Sequence, residues 1–163
     1  MSIDVQQPRR HDIVGRTVLV AGTAGGAFEA SYVVRVTDGH DEVTQAFMAG
    51  DGVGGHGQFQ VRVDVSGAGF SRAKAKVEVF HSSARDGSEL DRVVVPVVLG
   101  GQVVSGYTSY LEHVVVAGET LWAIAQHYYG DGARYHRLVT ANPRITDPDV
   151  IHPGDVLRVP RAL

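Results

Sequence analysis

The apolar residues of this chain change their spacing once, near residue 100, and that change restricts the chain to two kinds of architecture in series. Before it, short β-branched runs alternate apolar and polar positions, the period of half-buried strands. After it, apolar residues recur three and four apart, the period of amphipathic helices. In "QFQVRVDV", Phe59, Val61, Val63 and Val65 fall on one face, and Gln58, Gln60, Arg62 and Asp64 on the other. Similar runs cover 16–22, 28–36, 42–50, 57–65, 75–81 and 92–100, separated by glycine-rich breaks with no helical pattern between them. Such spacing predicts an all-β unit over 11–100, an antiparallel β-sandwich. Pro96 lacks an amide donor, so its strand is expected at an edge or a bulge.

Residues 101–110, containing glycine and serine and weakly patterned, are expected to link this unit to a second one at 111–161. There the order predicted is β-α-α-β, a small α+β domain. Strands are expected at 113–116 and 156–160. Thr120 is placed to cap a first helix carrying Leu121, Ile124, Ala125 and Tyr128 on one face and ending at Gly130. A second helix from about Ala133 would bury Tyr135, Leu138, Val139 and Asn142 and stop at Pro143. A domain this small needs its large side chains for packing. The only tryptophan, Trp122, is therefore expected to close the edge of the core together with Tyr129.

Composition excludes several chemistries. The chain has no cysteine, so neither disulfides nor thiolate metal sites can form. Its net charge of −3 gives no electrostatic footprint for nucleic acid or an anionic membrane. The first sixteen residues hold no apolar signal core, and no stretch is long enough to span a bilayer as a helix. The eight histidines are scattered, without the spacing of a zinc helix, so no metal or cofactor is expected. "HSSARDGSE" (81–89) reads as a hairpin turn at Asp86-Gly87, with Glu89 pairing Arg85 or Arg92, rather than as a catalytic triad. "GDGVGGHG" (50–57) lacks the Lys-Ser/Thr ending of a phosphate-binding loop. No catalytic residue stands out, and the chain is expected not to be an enzyme.

The stretch "HVVVAGETLWAIAQHYYGDGARYHRLVTANPRITDPDVIHPGDVLRVP" (113–160) resembles a LysM domain. The Gly-x-Thr-Leu turn, the Tyr-Gly helix end, the Ala-Asn-Pro stop and the Ile-x-Pro-Gly close carry the resemblance. Glu119 departs from it, standing where the family usually has Asp. The resemblance implies a βααβ fold that binds glycans containing N-acetylglucosamine, such as peptidoglycan or chitin, between two loops. The residues it designates are Gly118, Glu119, Thr120 and Leu121 in the first loop, and Ile145, Thr146, Asp147, Pro148 and Ile151 in the second. Asn142, before Pro143, is read as structural. The first half is similar to the Gmad2 family, a bacterial immunoglobulin-like domain of spore-germination and envelope proteins. "TVLVAGTAGGAFEASYVVRVTD" (17–38) and "VEVFHSSARDGSELDRVVVPVVL" (77–99) carry that likeness, which implies an accessory or adhesive role and another protein as the sandwich's partner.

Three functional expectations follow. The first is a non-catalytic glycan-binding protein, located at the cell envelope. The second is a cytoplasmic LysM scaffold or potassium-binding protein that holds no glycan, a reading favoured by the lack of a visible signal peptide. The third, an accessory fragment of a hydrolase, is disfavoured by the start at Met1.

Overall fold

The computed structural model describes residues 3–163. Its first part is two sheets packed face to face. One contains β1 (Ile3–Gln7), β3 (Thr17–Gly25) and β6 (His56–Asp64) in the order β1-β3-β6. The other contains β2 (Ile13–Val14), β4 (Ser31–Thr37), β5 (Glu42–Met48), β7 (Lys74–Ser82) and β8 (Glu89–Leu99) in the order β2-β8-β7-β4-β5. Pairing is antiparallel throughout, except that β2 runs parallel to β8. The alternation of β6 acts as the sequence predicts: Phe59, Val61 and Val63 are buried and the residues between them exposed. They meet Tyr32, Val34 and Val36 of β4, Val77 and Val79 of β7 and Val95 and Val97 of β8 in one core. β-branched side chains suit this surface because their single χ1 well costs little entropy on a pleated sheet.

Three details depart from the sequence reading. The strand Ile3–Gln7 lies upstream of the expected sandwich span. Residues Phe28–Ala30, expected to open a strand, form a 3₁₀ turn in which Glu29 and Ala30 have left-handed φ of 54° and 55°. Glu89 pairs with Arg92 at 3.5 Å but more closely with Arg35 at 2.7 Å, a partner 54 residues away in sequence. Pro96 sits where β8 faces the short β2. Its carbonyl accepts from His11 N at 2.6 Å, so the ring nitrogen is on the side away from β7 and no ladder bond is lost.

After β8 the chain enters a single helical turn, α1 (Gly100–Val103). Tyr107 lies flat over Gly100, where any side chain would collide with the ring. Val103 and Val104 are buried with Val98 against Ile13, Ala73 and Tyr129, so residues of both units share this small cluster. The second part is β9 (Ser109–Val114), α2 (Leu121–Tyr129), a 3₁₀ turn at Gly132–Tyr135, α3 (His136–Ala141) and β10 (Val156–Arg161). β9 and β10 pair antiparallel from Val114↔Val156 to Ser109↔Arg161. Val115, Leu121, Ile124, Ala125, Leu138, Leu157 and Val159 form its core. Among the described residues no helix is long and apolar enough to cross a membrane, which bears on helical spans only.

Candidate functional site

The local sequence fixes the two loops that face each other above the β9–β10 ribbon. Gly118 takes a φ of 87°, open to glycine but strained for other residues, and reverses the chain between β9 and α2. Glu119 N donates to Val116 O at 3.2 Å to close the turn. Thr120 caps α2, its Oγ1 accepting from Ala123 N at 3.1 Å. At the other end Gly130, with φ 71°, terminates the helix. On the opposite side, Asp147 Oδ1 accepts from Asp149 N at 3.0 Å and holds the turn that leads to Ile151. Asn142 is structural: its Nδ2 donates to Leu138 O and Arg158 O, and its Oδ1 accepts from Arg158 N, each at 2.8 Å.

Between these loops lies a groove of about 270 Å³. Glu119, Thr120, Leu121 and Trp122 form one wall, and Pro148, Asp149 and Ile151 the other, with Tyr135 completing the lining. Five of the nine residues designated from sequence therefore line it. Gly118 shapes the turn beside it. Ile145, Thr146 and Asp147 lie on the far side of the same loop and border a second, wider cleft of about 800 Å³, shared with Arg10 and His11 of the sandwich.

Trp122 is not a core residue. It is 57% exposed, whereas Leu121 and Ile124 beside it on α2 are each 2% exposed. One face of the indole lies on Gly132, where a built side chain would fall inside the ring. Tyr135, expected in a buried stripe, is likewise 39% exposed at the groove. Tyr129 does pack inward; its hydroxyl donates to Pro160 O at 2.7 Å, and burial pushes its pKa up to about 12. The helical wheel put Trp122 at the border of the apolar face and could not show which side the neighbouring turn would cover. A signal was present in "GDG" (130–132): Gly130 alone ends the helix, and Gly132 has no positive φ to explain it. A glycine without a conformational duty marks a close approach, here of the indole.

Glu119 is fixed by more than its turn. Its Oε2 accepts from Val116 N and from His113 Nε2, both at 2.9 Å, while His113 Nδ1 lies 2.9 Å from the Tyr128 hydroxyl. An ionised carboxylate only accepts, so His113 Nε2 is the donor to Glu119. The Val116 amide first, and the His113 ring second, hold the Glu119 carboxyl below its ordinary pKa. The extra methylene relative to Asp gives this carboxylate its reach to His113. Among the described residues no group of three or more His, Asp or Glu side chains is placed to hold a metal.

Comparison with known proteins bears on both parts. The family model described as the immunoglobulin-like domain of bacterial spore germination matches residues 2–88, more than half of the chain. The chain belongs to this family, Gmad2. Beyond the Gmad2 domain, the LysM model matches residues 113–160, the segment that builds the groove. A 48-residue stretch is 52% identical to an esterase of Mycobacterium tuberculosis (strain ATCC 25618 / H37Rv), covering 29% of this chain and 10% of that protein. A 49-residue stretch is 43% identical to the potassium binding protein Kbp of Escherichia coli O6:H1, covering 29% of this chain and 33% of that one. An uncharacterized protein of Deinococcus radiodurans is 44% identical over 48 residues, 29% of this chain and 19% of the relative. The chain thus spans between a tenth and a third of these relatives' lengths, and the esterase and Kbp matches cover the LysM segment only. No solved structure matches. Both domains are of binding type, and a LysM domain suggests glycan binding in general.

Proposed function

We propose that this protein binds N-acetylglucosamine-containing glycan, of peptidoglycan or chitin type, in the groove between the 118–122 and 148–151 loops, and that the Gmad2 domain is its accessory unit. The exposed indole of Trp122 carries the reading. An aromatic face beside a groove offers a stacking surface to the axial C–H face of a sugar ring. The N-acetyl group needs one donor and one acceptor, which turn backbone and Thr120 can supply, while Leu121, Pro148 and Ile151 offer apolar contact to its methyl. The groove is shallow, so affinity for a short oligomer is expected near the millimolar end of the scale. Titration calorimetry of the full chain with chitin tetramer tests this. Heat that disappears in Trp122→Ala, while the variant keeps its far-UV circular dichroism, supports the reading; no heat from the parent with chitin or soluble peptidoglycan overturns it.

The likeness of the LysM segment to the potassium binding protein favours one second reading. There the chain would hold potassium through loop carbonyls instead of sugar. A melting temperature that rises with potassium but not with sodium at equal ionic strength would support it, because selective binding to the folded state raises stability by mass action.

A further inference from the structure

The wider cleft of about 800 Å³ lies where the two domains meet, a usual place for a ligand site. Its floor is the outer face of β10. Leu157 and Val159 point into the LysM core, so Val156 and Arg158, at the alternate positions, lie on the opposite face. Arg10 and His11, on the turn between β1 and β2, border it from the sandwich. The groove and this cleft are two sides of one loop: Pro148, Asp149 and Ile151 line the first, and Ile145, Thr146 and Val150 the second.

Three arginines line the cleft, Arg10 from one domain and Arg144 and Arg158 from the other. None of them is in an ion pair among the described residues. Arg158 is half-buried and fixed in place: its Nη2 donates to Ala141 O, and its guanidinium lies 5.8 Å from the centre of the Tyr110 ring. Its charge is not compensated. Burial above all, and the nearby charge of Arg144, hold its pKa below the ordinary value, although Tyr110, Asp12 and Tyr107 act the other way. Two like charges are thus kept near each other with no carboxylate within ion-pair distance of either. The cleft also holds three acids. Asp147 Oδ1 accepts from Asp149 N at 3.0 Å and Asp155 Oδ2 from His152 N at 2.9 Å, so both serve turns of their own loop. Glu112 stands opposite Arg158 in register without pairing to it. Charges of both signs, with Ile145, Val150 and Val156 among them, suit a short charged peptide better than a neutral sugar.

We propose that this cleft is a second site, which takes the carboxylate-bearing peptides that peptidoglycan carries on its glycan chain while the glycan lies in the groove across the loop. This rests on the glycan reading above and narrows it to peptidoglycan, since chitin carries no peptide. The fork of donors on a guanidinium matches the two oxygens of a carboxylate, and Arg10, Arg144 and Arg158 supply three such forks. The sandwich thereby contributes a ligand-binding residue, Arg10, to the site.

The experiment is calorimetry of the full chain with three probes: chitin tetramer, a peptidoglycan tetrasaccharide bearing its peptides, and the same tetrasaccharide stripped of them by an amidase. The peptide-bearing fragment is expected to bind at least about fivefold more tightly than the stripped one, because a tethered second contact acts at raised effective concentration. That gain should shrink near 1 M salt, where screening extends over about 3 Å. Arg10 and Arg144 are exposed, so Arg10→Gln combined with Arg144→Gln should leave the fold and chitin affinity intact and abolish the gain. Equal or weaker binding of the peptide-bearing fragment, or a gain indifferent to the double substitution, overturns the inference and leaves the glycan reading standing. Failure of all three probes to bind overturns the glycan reading and the inference with it.

Discussion

Gly132 controls the groove without being part of it. Because Trp122 lies on its Cα, Gly132→Ala drives a methyl into the indole, and the ring can only move outward. Glycan affinity is expected to fall about tenfold or more, the loss of one stacked ring. Gly132 has no positive φ, so Ala strains no backbone there, and the melting temperature should drop by only a few degrees. Calorimetry and thermal melting on one sample separate the two effects. Trp122→Ala should behave alike: a half-exposed Trp is expected to cost about 1 kcal/mol, against about 3–5 for a buried one. A loss near the upper figure, with glycan affinity unchanged, would return Trp122 to the core. At this scale the sequence was informative only where a residue answers to its own neighbours. Thr120 as a cap and Gly130 as a terminator are local facts of one helix end. The exposure of Trp122 depends on a turn ten residues on, and the acceptor geometry of Glu119 on a histidine across the β9 turn.

The elements of the sandwich are held by polar contacts that their alternation does not reveal. Asp38, buried at the β4–β5 turn, accepts from His40 N, Asp41 N and Ser71 N at 2.8 Å each and from Arg72 N at 3.1 Å. It thereby ties that turn to the loop before β7. Burial pushes its pKa up, but the four amides outweigh it and hold the carboxyl far below its ordinary value. The folded state therefore binds fewer protons than the unfolded chain. The stabilisation is complete above the ordinary value of 3.8 and is lost as pH falls below it. Acid unfolding followed by circular dichroism should move to higher pH in Asp38→Asn, which cannot ionise, and its neutral-pH melting temperature should fall by more than about 5 °C. An unchanged acid transition would show that Asp38 is not the responsible group. On the outer face of the same sheet, Arg35 sits at 2.5 Å from buried Glu78, which is opposite it in register. Arg35→Met would leave that carboxylate only its longer contact to Arg92, at 3.9 Å, and should cost about 3 kcal/mol in urea unfolding. A second change, Glu78→Gln, should recover part of the loss; no recovery would mean that Arg35 acts by packing over Phe80 instead. The alternating strands were legible because burial on one face imposes period two. β1 was not, since only Ile3 of its five residues is fully buried and so short a run shows no period.

At the scale of the whole molecule, the relation of the two units turns on residues 101–110. We propose that the sandwich and the LysM domain are separately stable folds, each with its own apolar cluster, held together by a third and much smaller one. Val103 and Val104 belong to that third cluster, whereas Gly101, Gln102, Ser105 and Gly106 around them are exposed. A protease needs a segment that can leave the surface, and two buried valines oppose that departure. Limited proteolysis of the parent chain should therefore be slow in this segment. Val103→Asp places a carboxylate in the apolar cluster of Val98, Ile13 and Tyr129, and the segment should detach. Cleavage within 101–110 is then expected to accelerate at least about tenfold and to leave two protected fragments, each retaining its own melting transition. Complete digestion of the variant would show that neither unit stands without the other. If the variant stayed as resistant as the parent, the third cluster would not be what joins them. The same variant bears on binding: the groove lies between loops of the LysM domain alone, so detachment should leave glycan affinity per groove as it was, and a fall would mean that the sandwich supports the groove directly.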